Sequence, residues 1–198
     1  MVERIIKNIT KNRKNVIDQI NQEIIDIYLF LKKQYGQGSV DKNYLFQFVF
    51  RSFYRLDNAG LGDDLKNKYF ELMQQGEVDL KTILIELSKI ENLRGRKTVQ
   101  FSFATKLLHT INEDNPIYDS QVGKVIRENF SGSTIEKRIE SAIIVYENLK
   151  NIQKQLLDNK DILKIIKEIR KKFKLNERQD ISDSKILDFI LWAAGKIG

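Results

Sequence analysis

The stretch "HTINEDNPIYDSQVGKVI", His109 to Ile126, holds the only histidine and the only proline of a 198-residue chain. Proline has no N–H and disfavours helix at the residue before it. Asn115–Pro116 therefore ends the helix that carries His109, and Ile117 and Tyr118 are predicted to be extended. Asp119 or Ser120 opens the next helix, where a side-chain oxygen takes up free backbone N–H groups. The break presents a carboxylate at a helix N-terminus, at the junction of two apolar helices. On periodicity alone, that carboxylate is a helix cap.

On both sides of the break the pattern is helical. Upstream, "VQFSFATKLLHTI" (99–111) reads as an apolar helix and "NLRGRKT" (92–98) as a tight turn. Two helices are predicted before it, at about 64–75 and 79–91. They follow the loop "DNAGLGDD" (57–64), in which Asp63 or Asp64 is expected to cap. Nearer the start, Val16, Ile17, Ile20, Ile24, Ile27, Tyr28 and Leu31 recur at helical spacing and predict one helix running to "GQGS". "NYLFQFVFRSFYRL" (43–56) places Phe46, Phe50 and Phe53 on one helical stripe. Its Phe46–Phe48–Phe50 alternation also suits a strand, but partner strands are missing from the pattern. Downstream, "SGST" (131–134) separates two helices, with Ser133 or Thr134 capping the second, which runs to about Leu156. Over 161–173, Ile162, Ile165, Ile166, Ile169 and Phe173 line one face among many lysines. The final segment, "SDSKILDFILWAAG", reads as a capped apolar helix closed by Gly195. The expectation is an all-α single domain spanning 1–198.

The composition, 41% hydrophobic and 31% charged, is that of a soluble globular protein. No apolar run reaches the roughly 18 residues a membrane helix needs, and the first residues lack a secretory pattern. A cytoplasmic location is expected. The chain has no cysteine, which excludes disulfides, thiolate catalysis and cysteine-ligated metals. A single histidine rules out a multi-histidine metal site within one chain, and no clustered Asp motif argues for a cation. No metal and no cofactor are expected. The net charge of +7 favours a polyanionic partner.

The order of helix, glycine turn "LRGRKT", helix "VQFSFATKLLHTI", proline loop and "PIYDSQV" resembles the helix-hairpin-helix DNA glycosylase superfamily over residues 93–127. That family joins two helices by a glycine-containing hairpin, then places a catalytic aspartate at the start of the next helix in a Pro-apolar-x-Asp-Ser/Thr-x-Val setting. "PIYDSQV" has one residue more between Pro116 and Asp119 than the commonest form. The hairpin carries only Gly95, where the family usually has Gly-x-Gly. The resemblance implies a two-lobed helical fold, with the hairpin and catalytic loop in 79–130 and the N- and C-terminal helices packed together as the second lobe. Asp119 would lie in the cleft between the lobes. It also implies a DNA partner, a damaged duplex above all, and a repair hydrolase activity: excision of a base.

That chemistry passes through a cationic, oxocarbenium-like sugar, which a carboxylate stabilises, or for which it activates the nucleophile. Asp119 would take this role. Some members use an early lysine of the second hairpin helix as an amine nucleophile. Lys97 is the nearest candidate and Lys106 the next. Such an amine needs a lowered pKa, from burial or a cationic neighbour. An extruded base needs a pocket, for which Tyr118, the Phe46–Tyr54 aromatics and His109 are candidates, although a buried histidine is more often structural. Arg94, Gly95, Arg96 and Lys97 are candidate nucleic-acid contacts, through turn N–H groups and cationic side chains. Two alternatives stand beside this reading. One is a non-catalytic nucleic-acid-binding helical module. The other is a helical protein-interaction or phage-defence factor.

Overall fold

The computed structural model describes residues 1–175 and 181–197. Among them are eleven α-helices, one short 3-10 turn at Asp57–Ala59 and no strands. The helices are α1 (Val2–Lys11), α2 (Arg13–Asp18), α3 (Gln22–Gly36), α4 (Tyr44–Tyr54), α5 (Asp63–Gln75), α6 (Leu80–Ser88), α7 (Phe101–Ile111), α8 (Ser120–Ile126), α9 (Ile135–Leu157), α10 (Lys160–Phe173) and α11 (Asp183–Ile197). The fold is all-α. No helix among the described residues is long and apolar enough to cross a membrane.

The C-terminal helix organises the packing. α11 lies along α8 and also touches α1, α2, α9 and α10, so the two ends of the chain pack together. In the middle of the chain, α3 packs on α4, and α5, α6 and α7 pack on one another. A continuous set of buried aliphatic and aromatic side chains joins the two groups. The stripe expected on α4 is part of it: Phe46 and Phe50 are buried and Phe53 packs against the core, in a helix and not a strand.

Four local expectations change. The helix predicted through Val16–Leu31 is two helices. Ile20 N–H reaches back to the Ile17 carbonyl at 3.2 Å, and extended Asn21 starts α3 by accepting from Ile24 N–H at 2.9 Å. Lys172 of α10 donates to the Ile17 and Ile20 carbonyls, which holds that break against the C-terminal part of the chain. Asp63 and Asp64 do not cap α5. Gly62 occupies the cap position, and the two carboxylates sit in the first turn, where they favour the helix dipole. The helix after Asp119, expected to run to about Asn129, stops at Ile126, because Arg127 adopts the left-handed conformation. Gly195 does not close the last helix. It lies inside α11, where a Cβ would come within 2.3 Å of the Gln121 carbonyl oxygen. The glycine is what lets α11 cross the first turn of α8 in close contact.

Candidate functional site

Asp119 is the N-cap of α8, as the proline break implies. Its Oδ1 accepts from Gln121 N–H at 2.8 Å and Val122 N–H at 2.9 Å. Its other oxygen, Oδ2, accepts no hydrogen bond among the described residues. The segment before it is anchored on α7: Tyr118 N–H donates to Thr105 Oγ1 at 3.0 Å, and the same hydroxyl lies 3.2 Å from the Tyr118 carbonyl. This clip leaves Asp119 within electrostatic reach of the next residue of α7, Lys106, without a direct ion pair between them.

Lys106 is buried. Its ammonium lies over the Phe103 ring, 4.8 Å from the centroid, and donates to Ser102 Oγ at 3.1 Å. A longer contact of 3.4 Å reaches the Tyr54 carbonyl at the end of α4. Burial pulls its pKa down to about 8, against the attraction of Asp119 and Asp188 and with the help of Lys185 and Arg55. Asp119 is half-buried, and loss of solvation pushes its pKa up. The Val122 N–H opposes that rise, Asp188 adds to it, and Lys106 opposes it.

Two residues that sequence reading passed over complete this cluster. Lys185 and Asp188 lie on α11, inside the segment read as an apolar helix. Lys185 Nζ is 2.7 Å from Asp188 Oδ2 and is enclosed by the rings of Tyr28, Phe189 and Tyr54. The Tyr54 ring stands between the two lysines, 5.7 Å from the Lys106 ammonium and 5.8 Å from that of Lys185. Desolvation opposes the charge of Lys185, but Asp188 and Tyr54 outweigh it and raise its pKa. The fixed positive charge of Lys185 is thus one of the groups that hold Lys106 low. The available signal was the Lys185–Asp188 spacing of three, which puts both on one helical face.

The other sequence candidates are placed elsewhere. Lys97 is exposed in the turn before α7 and is not among the groups that shift Asp119. Arg94, Gly95 and Arg96 are exposed in the same turn. The turn's N–H groups are used internally: Arg94 and Arg96 N–H donate to Asn92 Oδ1, and Gly95 N–H donates to the Asn92 carbonyl. Gly95 has φ of +66°, the conformation that the turn needs. Those three amides are therefore already used, and what the turn leaves exposed is its cationic side chains. Tyr118 is buried, stacked on Phe101 at 4.5 Å between centroids, with its hydroxyl bonded to the Glu128 carbonyl and Asn129 Oδ1. Its ring is core, with no face left to line a pocket. His109 is also buried. Its Nδ1 donates to the Asn115 carbonyl at 2.7 Å, and desolvation with the nearby Lys185 lowers its pKa to about 3. A neutral ring in that setting fixes the proline loop.

No family model, curated protein or solved structure matches this chain. The resemblance to helix-hairpin-helix glycosylases therefore rests on residues 93–127 themselves. Among the described residues, no three His, Cys, Asp or Glu side chains gather as a metal ion requires. What the arrangement offers is one cap carboxylate with a free oxygen, a buried amine of lowered pKa within electrostatic reach of it, and a charged Lys185–Asp188 pair that influences both.

Proposed function

We propose that the protein is a DNA-base excision enzyme of the DNA glycosylase type, working through Lys106 and Asp119. The observation that carries this reading is a buried lysine, its pKa about 8, within electrostatic reach of a carboxylate that keeps one oxygen free at the head of a helix. In this reading a nucleotide is extruded toward the α7–α8 junction. The neutral Lys106 amine attacks the sugar C1′, and the base leaves with the electron pair of the glycosidic bond and takes up a proton. Asp119 stabilises the positive charge that develops on the sugar and accepts the proton released by the attacking amine. The exposed Arg94, Arg96 and Lys97 hold the flanking phosphates.

A second reading is a nucleic-acid-binding module without turnover. It is favoured by one feature: Asp119 already has a complete structural role as cap. Binding to matched duplexes, one intact and one with a stable abasic-site analogue, separates the two. A catalytic site for an extruded nucleotide predicts clear preference for the abasic duplex at moderate salt. Equal, salt-sensitive binding to both would leave the non-catalytic module standing.

A further inference from the structure

α10 carries a second feature that the proposed site does not use. Its buried face is Ile162, Ile165, Ile166 and Ile169. Lys160, Lys164, Lys167 and Lys171 follow at intervals of four, three and four residues on the opposite side, and all four are exposed. At the α-helical rise of about 1.5 Å per residue, they form a row with a cation every 5–6 Å or so. Lys164 has a surface pair with Asp161 at 3.0 Å, of the exposed kind that contributes little. Lys160, Lys167 and Lys171 make no ion pair among the described residues. A shallow surface groove next to the start of α10 is lined by Lys7 and Lys11 of α1 together with Glu3, Asn159 and Asp161, and none of the four row lysines enters it.

The neighbouring cations behave differently, which gives the row its definition. Lys172 is tied to the carbonyls that end α2, and Arg170 is bonded to Asp183 and the Ile181 carbonyl. Those cations hold the fold together. The four in the row have no such duty.

We infer that this row is a sequence-independent docking surface for the phosphate backbone of a nucleic-acid strand. A straight row of flexible ammonium groups suits a linear polyanion, and each phosphate it neutralises releases a counterion. An anionic membrane also attracts lysines, but a helix that lies in a bilayer must give its apolar face to the lipid. Here that face is buried in the core. The inference does not depend on the excision chemistry, since the row includes neither Asp119 nor Lys106.

The test uses the full chain and a labelled duplex without lesion, with affinity measured from low to high salt. Replacing Lys160, Lys164, Lys167 and Lys171 together by Gln is expected to reduce the slope of log K against log salt by about 3.6, at about 0.9 per phosphate for duplex DNA. An unchanged slope, with an unchanged melting temperature, would overturn the inference. So would binding of the wild type to vesicles of mixed neutral and anionic phospholipid that the quadruple variant loses, with no change in DNA affinity. The abasic preference of the wild type, if present, should persist in the variant, which keeps this outcome separate from that of the excision reading.

Discussion

Asp119→Asn is expected to lower base excision by about 10²–10⁴-fold without unfolding the protein. The substitution separates two roles that one side chain holds. Asn is as good an N-cap as Asp, so the bonds from Gln121 and Val122 N–H to the side-chain oxygen can remain. What is lost is the negative charge and the second carboxylate oxygen, which accepts no hydrogen bond among the described residues. Asp119→Ala removes both roles and should cost about 1 kcal/mol of stability besides the activity. Single-turnover excision on the lesion that the wild type processes best, read beside thermal melting, checks both variants. Full activity in Asp119→Asn would reduce Asp119 to a cap.

The wild-type excision rate is expected to rise about tenfold per pH unit below pH 8 and to level off above it, as Lys106 loses its proton. The sign follows from the nucleophile being the neutral amine, whose fraction grows until the pKa of about 8 is passed. Because the Asp119 carboxyl titrates above its ordinary range, the acid side should fall more steeply than the amine alone would give. Lys106→Gln should abolish the rise toward pH 8 along with most of the activity. Lys97→Gln, in the exposed turn, should keep the shape of the profile. A flat wild-type profile between pH 6 and 8 would exclude the amine mechanism.

Much of this arrangement is legible in the sequence, for a physical reason. A polar residue opening an apolar helix is a local signal, so the capping of α8 by Asp119 is legible, whereas α7 ends at Ile111 with Asn112 already extended, before the residue that Pro116 restricts. Thr134 as the cap of α9 is legible in the same way. The division of the first long apolar pattern into α2 and α3 is not. Ile17, Ile20 and Ile24 keep helical spacing across the break, while Asn21 caps α3 and Lys172, far along the chain, takes the Ile17 and Ile20 carbonyls that end α2. The choice between Lys97 and Lys106 is a tertiary matter as well. It turns on burial against Phe103 and Tyr54, and on the charge of Lys185 from α11. The hairpin is different: Asn92 accepting from the N–H groups of Arg94 and Arg96 is a local turn that an asparagine ahead of a glycine turn signals by itself.

The most direct measurement is to incubate the protein with a duplex carrying a natural abasic site in the presence of borohydride, and to map any adduct by mass spectrometry. The ring-opened sugar aldehyde condenses with a reactive amine and releases water, and borohydride reduces the resulting imine to a stable secondary amine. The account predicts a trapped complex with the modification on Lys106, absent from Lys106→Gln. Absence of any adduct, or an adduct on Lys97 in the exposed turn, would contradict it.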